Sequence, residues 1–363
     1  MKKKTVKQQF FTNQLLNWFA TNDRPLPWKN EKNPYYIWLS EIILQQTRVA
    51  QGLPYFEKFK ANFPTVTDLA NAPEDKVMKL WEGLGYYSRA RNLHFTAKFI
   101  ANELNGQFPD THSAILNLKG VGPYTAAAIA SFAFNLPHAV VDGNVFRVLS
   151  RVFGIETPID TTAGKKEFNQ LADDLLDKKQ PGTYNQAIMD FGATQCVPVN
   201  PNCTVCPMQT TCAAYAEGLI GVLPVKSKKI KKRDRYFNYL ICSYKDIVYL
   251  NKRIQKDIWR NLYDFPLIEA DELLEEPVLT NHKTLQRILG TTKFTIKKKS
   301  KPFKQLLTHQ RIIAVFWELE LEGPLAENEF DFFEVKQKNI NNFAFPKIVD
   351  LYFKDKSLYL ELF

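Results

Sequence analysis

Four of the five cysteines lie within seventeen residues, as Cys196, Cys203, Cys206 and Cys212, in the spacing C-x6-C-x2-C-x5-C. No other stretch of the chain limits its structure as tightly, because four clustered thiols have to be crosslinked, kept reduced or bound to a metal. The N-terminal Met1-Lys-Lys-Lys4 is basic but is not followed by an apolar signal segment. A secreted disulfide framework is therefore a poor fit. A structural zinc site commonly pairs two C-x2-C knuckles, and only one occurs here. Four soft thiolates also suit a [4Fe–4S] cluster. Cys242 stands apart in an apolar run and reads as core.

The chain has 363 residues, 45% hydrophobic and 24% charged. Those values exclude wholesale disorder and are enough for two or three domains. No apolar run reaches the roughly 18–20 residues of a membrane span. The net charge is +10, and the run from Lys226 to Arg235 alone carries +6 of it. Such a run is either a solvated linker or a phosphate-contacting segment. A smaller cluster lies at Lys297 to Lys299.

Residues 7–222 read as mostly helical. Asn33-Pro34 has the form of a helix cap with Pro at the first position, and Ile37 to Leu44 continues the helix. Ala126 to Phe134 is a second apolar helix. Asp142 can cap a third, which carries Val145, Val148, Leu149 and Val152 at helical spacing. Beyond the basic run the texture changes. Tyr236 to Tyr244, Ile247 to Leu250 and Arg311 to Leu321 read as strands, so the second domain is expected to be α+β.

Three further features carry chemistry. In Leu118-Lys-Gly-Val-Gly-Pro-Tyr-Thr125, Gly120 and Gly122 permit a tight turn before a helix that Pro123 starts. This is a helix-hairpin-helix pattern, whose exposed N–H groups and helix dipole suit a phosphate. Glu41 interrupts a helix that is apolar nearly all round, so its carboxyl is expected to be desolvated and raised in pKa, unless it pairs with Arg48. Asp142 is expected to stay ionised at its helix N-terminus. One carboxyl pushed neutral beside one held charged assigns an acid and an anion stabiliser.

Arg24-Pro-Leu-Pro-Trp28, Trp38 to Arg48, Gly83 to Asn92, the hairpin, Val141-Asp-Gly-Asn144 and the cysteine loop occur in the order found in the MutY-type adenine DNA glycosylases. The chain resembles that family closely over its first 222 residues and loosely beyond. The resemblance implies an all-α, endonuclease III-like helix-hairpin-helix domain over 1–222, including the 196–212 loop with a [4Fe–4S] cluster. A basic linker over 223–235 and a smaller α+β Nudix-like domain over 236–363 follow. The implied reaction is hydrolysis of adenine from double-stranded DNA, where it is mispaired with 8-oxoguanine or guanine. The base is first flipped out of the stack.

By the same resemblance, Glu41 protonates the adenine and Asp142 stabilises an oxocarbenium-like sugar, a two-carboxylate logic shared with glycosidases. Tyr124 and Asn144 orient these groups, and Gln186 hydrogen-bonds the base. Gln46 and Tyr86 fill the stack beside the lesion, and Thr308 and His309 read the oxidised guanine. Lys29 departs from an arginine common in the family, and Leu307 from an aromatic ring. No catalytic Nudix box is present. An endonuclease III-like lyase would need a lysine where this chain has Tyr124. The expected protein is a monomeric, cytoplasmic, nucleoid-associated bacterial enzyme.

Overall fold

The computed structural model describes residues 4–227, 231–325 and 329–355. Lys228 and Lys229 of the basic run lie outside the described residues, as does the end of the chain. The chain divides into two compact units. One comprises Met1–Asn71 and Asn92–Lys229, the other Ala72–Arg91 and Ile230–Phe363.

The first unit is helical. The Pro34–Leu44 helix starts where the Asn33 side chain accepts from the Tyr35 N–H, with Pro34 at the first position. It is buried from Ile37 to Ile43, as its nearly continuous apolar sequence requires. It packs against the alanine-rich Pro123–Phe134 helix, whose small side chains allow close approach. The Gly143–Phe153 helix is capped by Asp142 and ends at Gly154, which takes a left-handed φ of +70°. Val145, Val148, Leu149 and Val152 form its buried stripe.

In the second unit the described residues form one eight-stranded mixed sheet. Its strands are β1 (Arg233–Tyr244), β2 (Ile247–Lys252), β3 (Tyr263–Asp264), β4 (Leu267–Ala270), β5 (Phe294–Lys299), β6 (Phe303–Leu306), β7 (Gln310–Leu321) and β8 (Phe333–Lys336). The centre is the parallel β1–β7 pair, and the remaining pairings are antiparallel. Cys242 is fully buried in β1 within the core that Trp317, Leu285 and Ile288 share. The basic stretch is shorter as a linker than its sequence implies, because Arg233 to Arg235 already belong to β1.

The second unit also takes in residues 72–91, which a single boundary along the chain misses. The Glu74–Trp81 helix is tied to it by polar contacts. Asp75 accepts from Lys252 Nζ at 2.8 Å and from the Tyr263 hydroxyl at 2.9 Å. Glu74 accepts from Asn261 at 2.7 Å, and Lys79 donates to the Phe343 carbonyl at 2.8 Å. A chain ending at Val222 would lose all four partners. Its Glu74–Trp81 amides should then exchange with solvent at least ~10-fold faster than in the full-length protein, while those of Pro123–Phe134 stay protected. Equal protection in both proteins would show that this helix is held by the first unit.

Candidate active site

In the first unit, Glu41, Asp142 and Tyr124 come together from three helices. Glu41 is buried, at 8% exposure. Its neighbours are the Tyr124 hydroxyl and the Asp142 charge. Arg48 is exposed at the start of the next helix, so an ion pair between them is not formed. Burial drives the Glu41 pKa up from 4.5 to about 7; the Tyr124 hydrogen bond lowers it in part, and the nearby Asp142 raises it again. The Tyr124 hydroxyl has two acceptors in reach, this carboxylate and Met189 Sδ at 3.2 Å. The carboxylate is the stronger acceptor. Burial and both carboxylates push the Tyr124 pKa far up, so its hydroxyl stays protonated and can donate to Glu41.

Asp142 is the N-cap of its helix. Oδ1 accepts from the Val145 N–H at 2.8 Å and Oδ2 from Asn144 Nδ2 at 3.0 Å. The sequence reading expects these donors to hold it ionised. The structure corrects the balance: burial is the largest effect, and the Asp142 pKa is raised. The Val145 and Asn144 donors and the Arg147 charge oppose that rise. Glu41 has Tyr124 as the one group that favours its anion, so the two carboxyls differ in the number of donors they face.

Asn144 is itself fixed. Its Oδ1 accepts from Arg147 Nη2 at 2.8 Å, which leaves Nδ2 facing Asp142. Arg147 Nε continues to the Cys196 carbonyl at 2.8 Å. One run of hydrogen bonds thus joins Asp142 to the first cysteine of the loop. The sequence reading assigned no role to Arg147.

Beside Glu41 lies a partly open pocket. Leu26, Trp28, Ile37, Phe132 and Met189 give it apolar walls, and Gln186 and Asp190 line it as well. Gln186 Nε2 donates to the Lys29 carbonyl at 3.1 Å, which turns Oε1 away from that carbonyl. The Lys29 ammonium is buried between Asp23 and Asp190 and lies 4.9 Å from the Phe19 ring centre. Asp190 also meets Arg24 at 3.5 Å. The sequence reading missed Asp190, although it lies one helical turn after Gln186.

At the hairpin, Gly120 has a φ of +84°, and a Cβ there would lie 2.7 Å from the Asn92 Cβ. A Cβ at Gly122 would meet nothing within 4 Å, so the approach to the Pro123–Phe134 helix start is open. Gln46 is exposed with a φ of +55°, an uncommon state for a residue with a side chain.

Tyr86 belongs to the second unit, shares that left-handed state at +47° and is 46% exposed. Its hydroxyl lies 2.9 Å from Thr308 Oγ1. Thr308 and His309 form the tip of the β6–β7 turn, closed by the Leu307 N–H to Gln310 carbonyl bond of 2.8 Å. The structure therefore joins two sequence-predicted residues that lie 222 positions apart.

The cysteine loop presents thiols alone. Cys206, pushed up to about 11 mainly by burial, also feels Cys196, Cys212 and Cys203. Among the described residues, no three Cys, His, Asp or Glu side chains converge tightly enough to hold a single metal ion. The guanidinium of Arg151 is buried beside the loop. It donates to the Val197 carbonyl at 2.8 Å and the Pro198 carbonyl at 3.0 Å, and lies 3.5 Å from Cys196 Sγ. No carboxylate pairs with it among the described residues. A buried cation of this kind calls for a counter-charge, which thiolates bound to a cluster would supply. The donor set fits a [4Fe–4S] group in this respect.

A carboxyl raised in the folded state adds stability below its ordinary value and loses it as pH rises through the folded value. Glu41 therefore costs the fold stability above about 7, by about 3 kcal/mol for the rise from 4.5. Glu41→Gln should raise unfolding stability at pH 8 by up to that amount and change it little at pH 4. Denaturant melts at the two pH values check this, and equal effects at both would contradict it.

A model of the HhH-GPD superfamily of base excision DNA repair proteins matches residues 39–174. An adenine DNA glycosylase of Buchnera aphidicola subsp. Baizongia pistaciae is 39% identical over 268 residues, covering 73% of this chain and 76% of its own. The Mus musculus adenine DNA glycosylase is 42% identical over 226 residues, covering 59% of this chain and 44% of its own. Among solved structures, a thermostable thymine-DNA glycosylase aligns with a TM-score of 0.55 at 31% identity, over 58% of this chain and 97% of its own. A non-covalent endonuclease III–DNA complex gives a TM-score of 0.52 at 21% identity, over 59% of this chain and 99% of its own, a likeness of fold. With the carboxyl pair, the hairpin and these relatives together, the chain belongs to the adenine DNA glycosylase family of enzymes that hydrolyse N-glycosyl bonds.

Proposed function

We propose that the enzyme removes adenine mispaired with 8-oxoguanine or guanine from double-stranded DNA, without cutting the strand. The observation that carries this reading is the buried Glu41 carboxyl, half protonated near neutral pH, at the wall of an apolar pocket and beside a second carboxyl rich in donors. A base flipped from the duplex enters the pocket. Glu41 gives its proton to the departing adenine, so the bonding electrons leave with a neutral base. Asp142 faces the positive sugar that remains, and water adds to complete hydrolysis. Gln186 binds the base, Asn144 holds Asp142, and Tyr124 orients Glu41. Tyr124 has no amine with which to form a Schiff base, so the product is an abasic site.

Gly120 and Gly122 grip a phosphate at the hairpin, and Gln46 enters the stack beside the lesion. In the second, Nudix-like unit, Tyr86 enters the stack while Thr308 and His309 read the guanine partner. The Tyr86–Thr308 contact supports grouping these residues in one reading surface. Cys196, Cys203, Cys206 and Cys212 hold a [4Fe–4S] cluster, whose role when bound is to fix the loop. The enzyme acts as a monomer on nucleoid DNA in the bacterial cytoplasm. Among the described residues no helix is long and apolar enough to cross a membrane.

Glu41→Gln and Asp142→Asn should each slow single-turnover adenine release by about 10²–10⁴-fold with DNA affinity largely kept. A wild-type rate in either variant would remove that residue's role. Replacing Thr308 and His309 by alanine should erode the preference for adenine opposite 8-oxoguanine over adenine opposite guanine, compared at fixed salt. An unchanged preference would leave both as structural residues of the turn.

A further inference from the structure

Between the Pro181–Asp190 helix and Cys196 the chain winds as a π-turn, Phe191–Gln195. Single π-turns are frequent at functional sites. The second residue of this turn, Gly192, is buried, and its φ lies outside the left-handed region, so glycine is not required there for backbone freedom. What it provides is space. A Cβ at 192 would lie 2.7 Å from the Asn144 Cβ, 3.1 Å from the Asn144 carbonyl oxygen and 3.2 Å from its carbon. None of these is the loose end of a side chain that could swing aside. The Gly192 carbonyl also accepts from Arg147 Nη2, the same nitrogen that donates to Asn144 Oδ1.

Asn144 is thus seated from two sides by one residue, directly by close packing and indirectly through Arg147. We propose that Gly192 is a positioning residue for the glycosylase reaction: its missing side chain lets the π-turn lie against Asn144 and so holds the Asn144 carboxamide on Asp142. This rests on the reading of Asp142 as the group that stabilises the sugar cation. Any side chain at 192 must move the backbone of Asn144 or unwind the turn. Either movement stretches the Asn144 Nδ2–Asp142 Oδ2 bond, which favours the Asp142 anion. Losing that donor raises the proton affinity of Asp142. The acid side of the pH–rate profile then moves to higher pH, while the alkaline side, set by Glu41, stays in place.

The test uses full-length Gly192→Ala, Asn144→Gly and the double variant, in single-turnover adenine excision from a duplex with adenine opposite 8-oxoguanine across pH 5–9. Gly192→Ala should excise about 10- to 100-fold more slowly, the range for loss of a hydrogen bond to a charged group. Its acid limb should lie at higher pH and its alkaline limb should match wild type. Adding Gly192→Ala to Asn144→Gly should cost little more, because the 2.7 Å contact with the Asn144 Cβ and the amide it displaces are both gone, and the backbone contacts left at 3.1 and 3.2 Å are relieved by a shift of a few tenths of an ångström. A folded Gly192→Ala with wild-type rate and limbs overturns the proposal. So does a full additional loss in the Asn144→Gly background. If Gly192→Ala does not fold, the double variant has to fold and match Asn144→Gly, and its failure to fold also overturns the proposal. Asp142→Asn is the control: wild-type rates there would sink the underlying reading, whereas a dead Asp142→Asn beside an unaffected Gly192→Ala sinks this inference alone.

Discussion

The hydrogen bonds that run from Asp142 through Asn144 and Arg147 to the Cys196 carbonyl fix the orientation of each side chain along them. They fix a carboxylate at a helix N-terminus, where burial alone would favour its neutral form. Each partner has one orientation available. Arg147 can only donate, so Asn144 must accept through Oδ1 and donate through Nδ2. The direction of the whole run follows from a single guanidinium. Arg151, two residues short of the helix end, extends the same logic into the cysteine loop with carbonyls as its acceptors.

Glu41 shows the opposite arrangement. It sits on a helix whose other faces are apolar, with one hydroxyl as donor and a like charge nearby. The protein gains a carboxylic acid that keeps its proton near neutral pH and loses stability whenever that acid ionises. The two carboxyls differ in the count of donors each receives.

Much of this was legible in the sequence. The caps at Asn33 and Asp142, the hairpin glycines and the alternation of strands after Arg233 are local signals, and each formed where local chemistry requires. Glu41 was legible as a break in an apolar helix. The ionisation of Asp142 was not, because the burial that opposes its cap is set by elements distant in sequence. Asp190, Gly192 and the pairing of Tyr86 with Thr308 were hidden for the same reason. Their partners lie 161, 48 and 222 positions away, which no local pattern records. The capture of residues 72–91 by the second unit is likewise a tertiary fact, since the sequence there reads as part of the helical stretch over 7–222.

The identity of the base released separates an adenine glycosylase from an endonuclease III-like lyase. Full-length protein is incubated with duplexes holding adenine opposite 8-oxoguanine, adenine opposite guanine, or an oxidised pyrimidine, and the free base is measured before and after alkali. An adenine glycosylase releases free adenine from the first two duplexes, leaves the strand intact until alkali is added, and releases nothing from the third. Release of an oxidised pyrimidine, or strand cleavage without alkali, would contradict that reading.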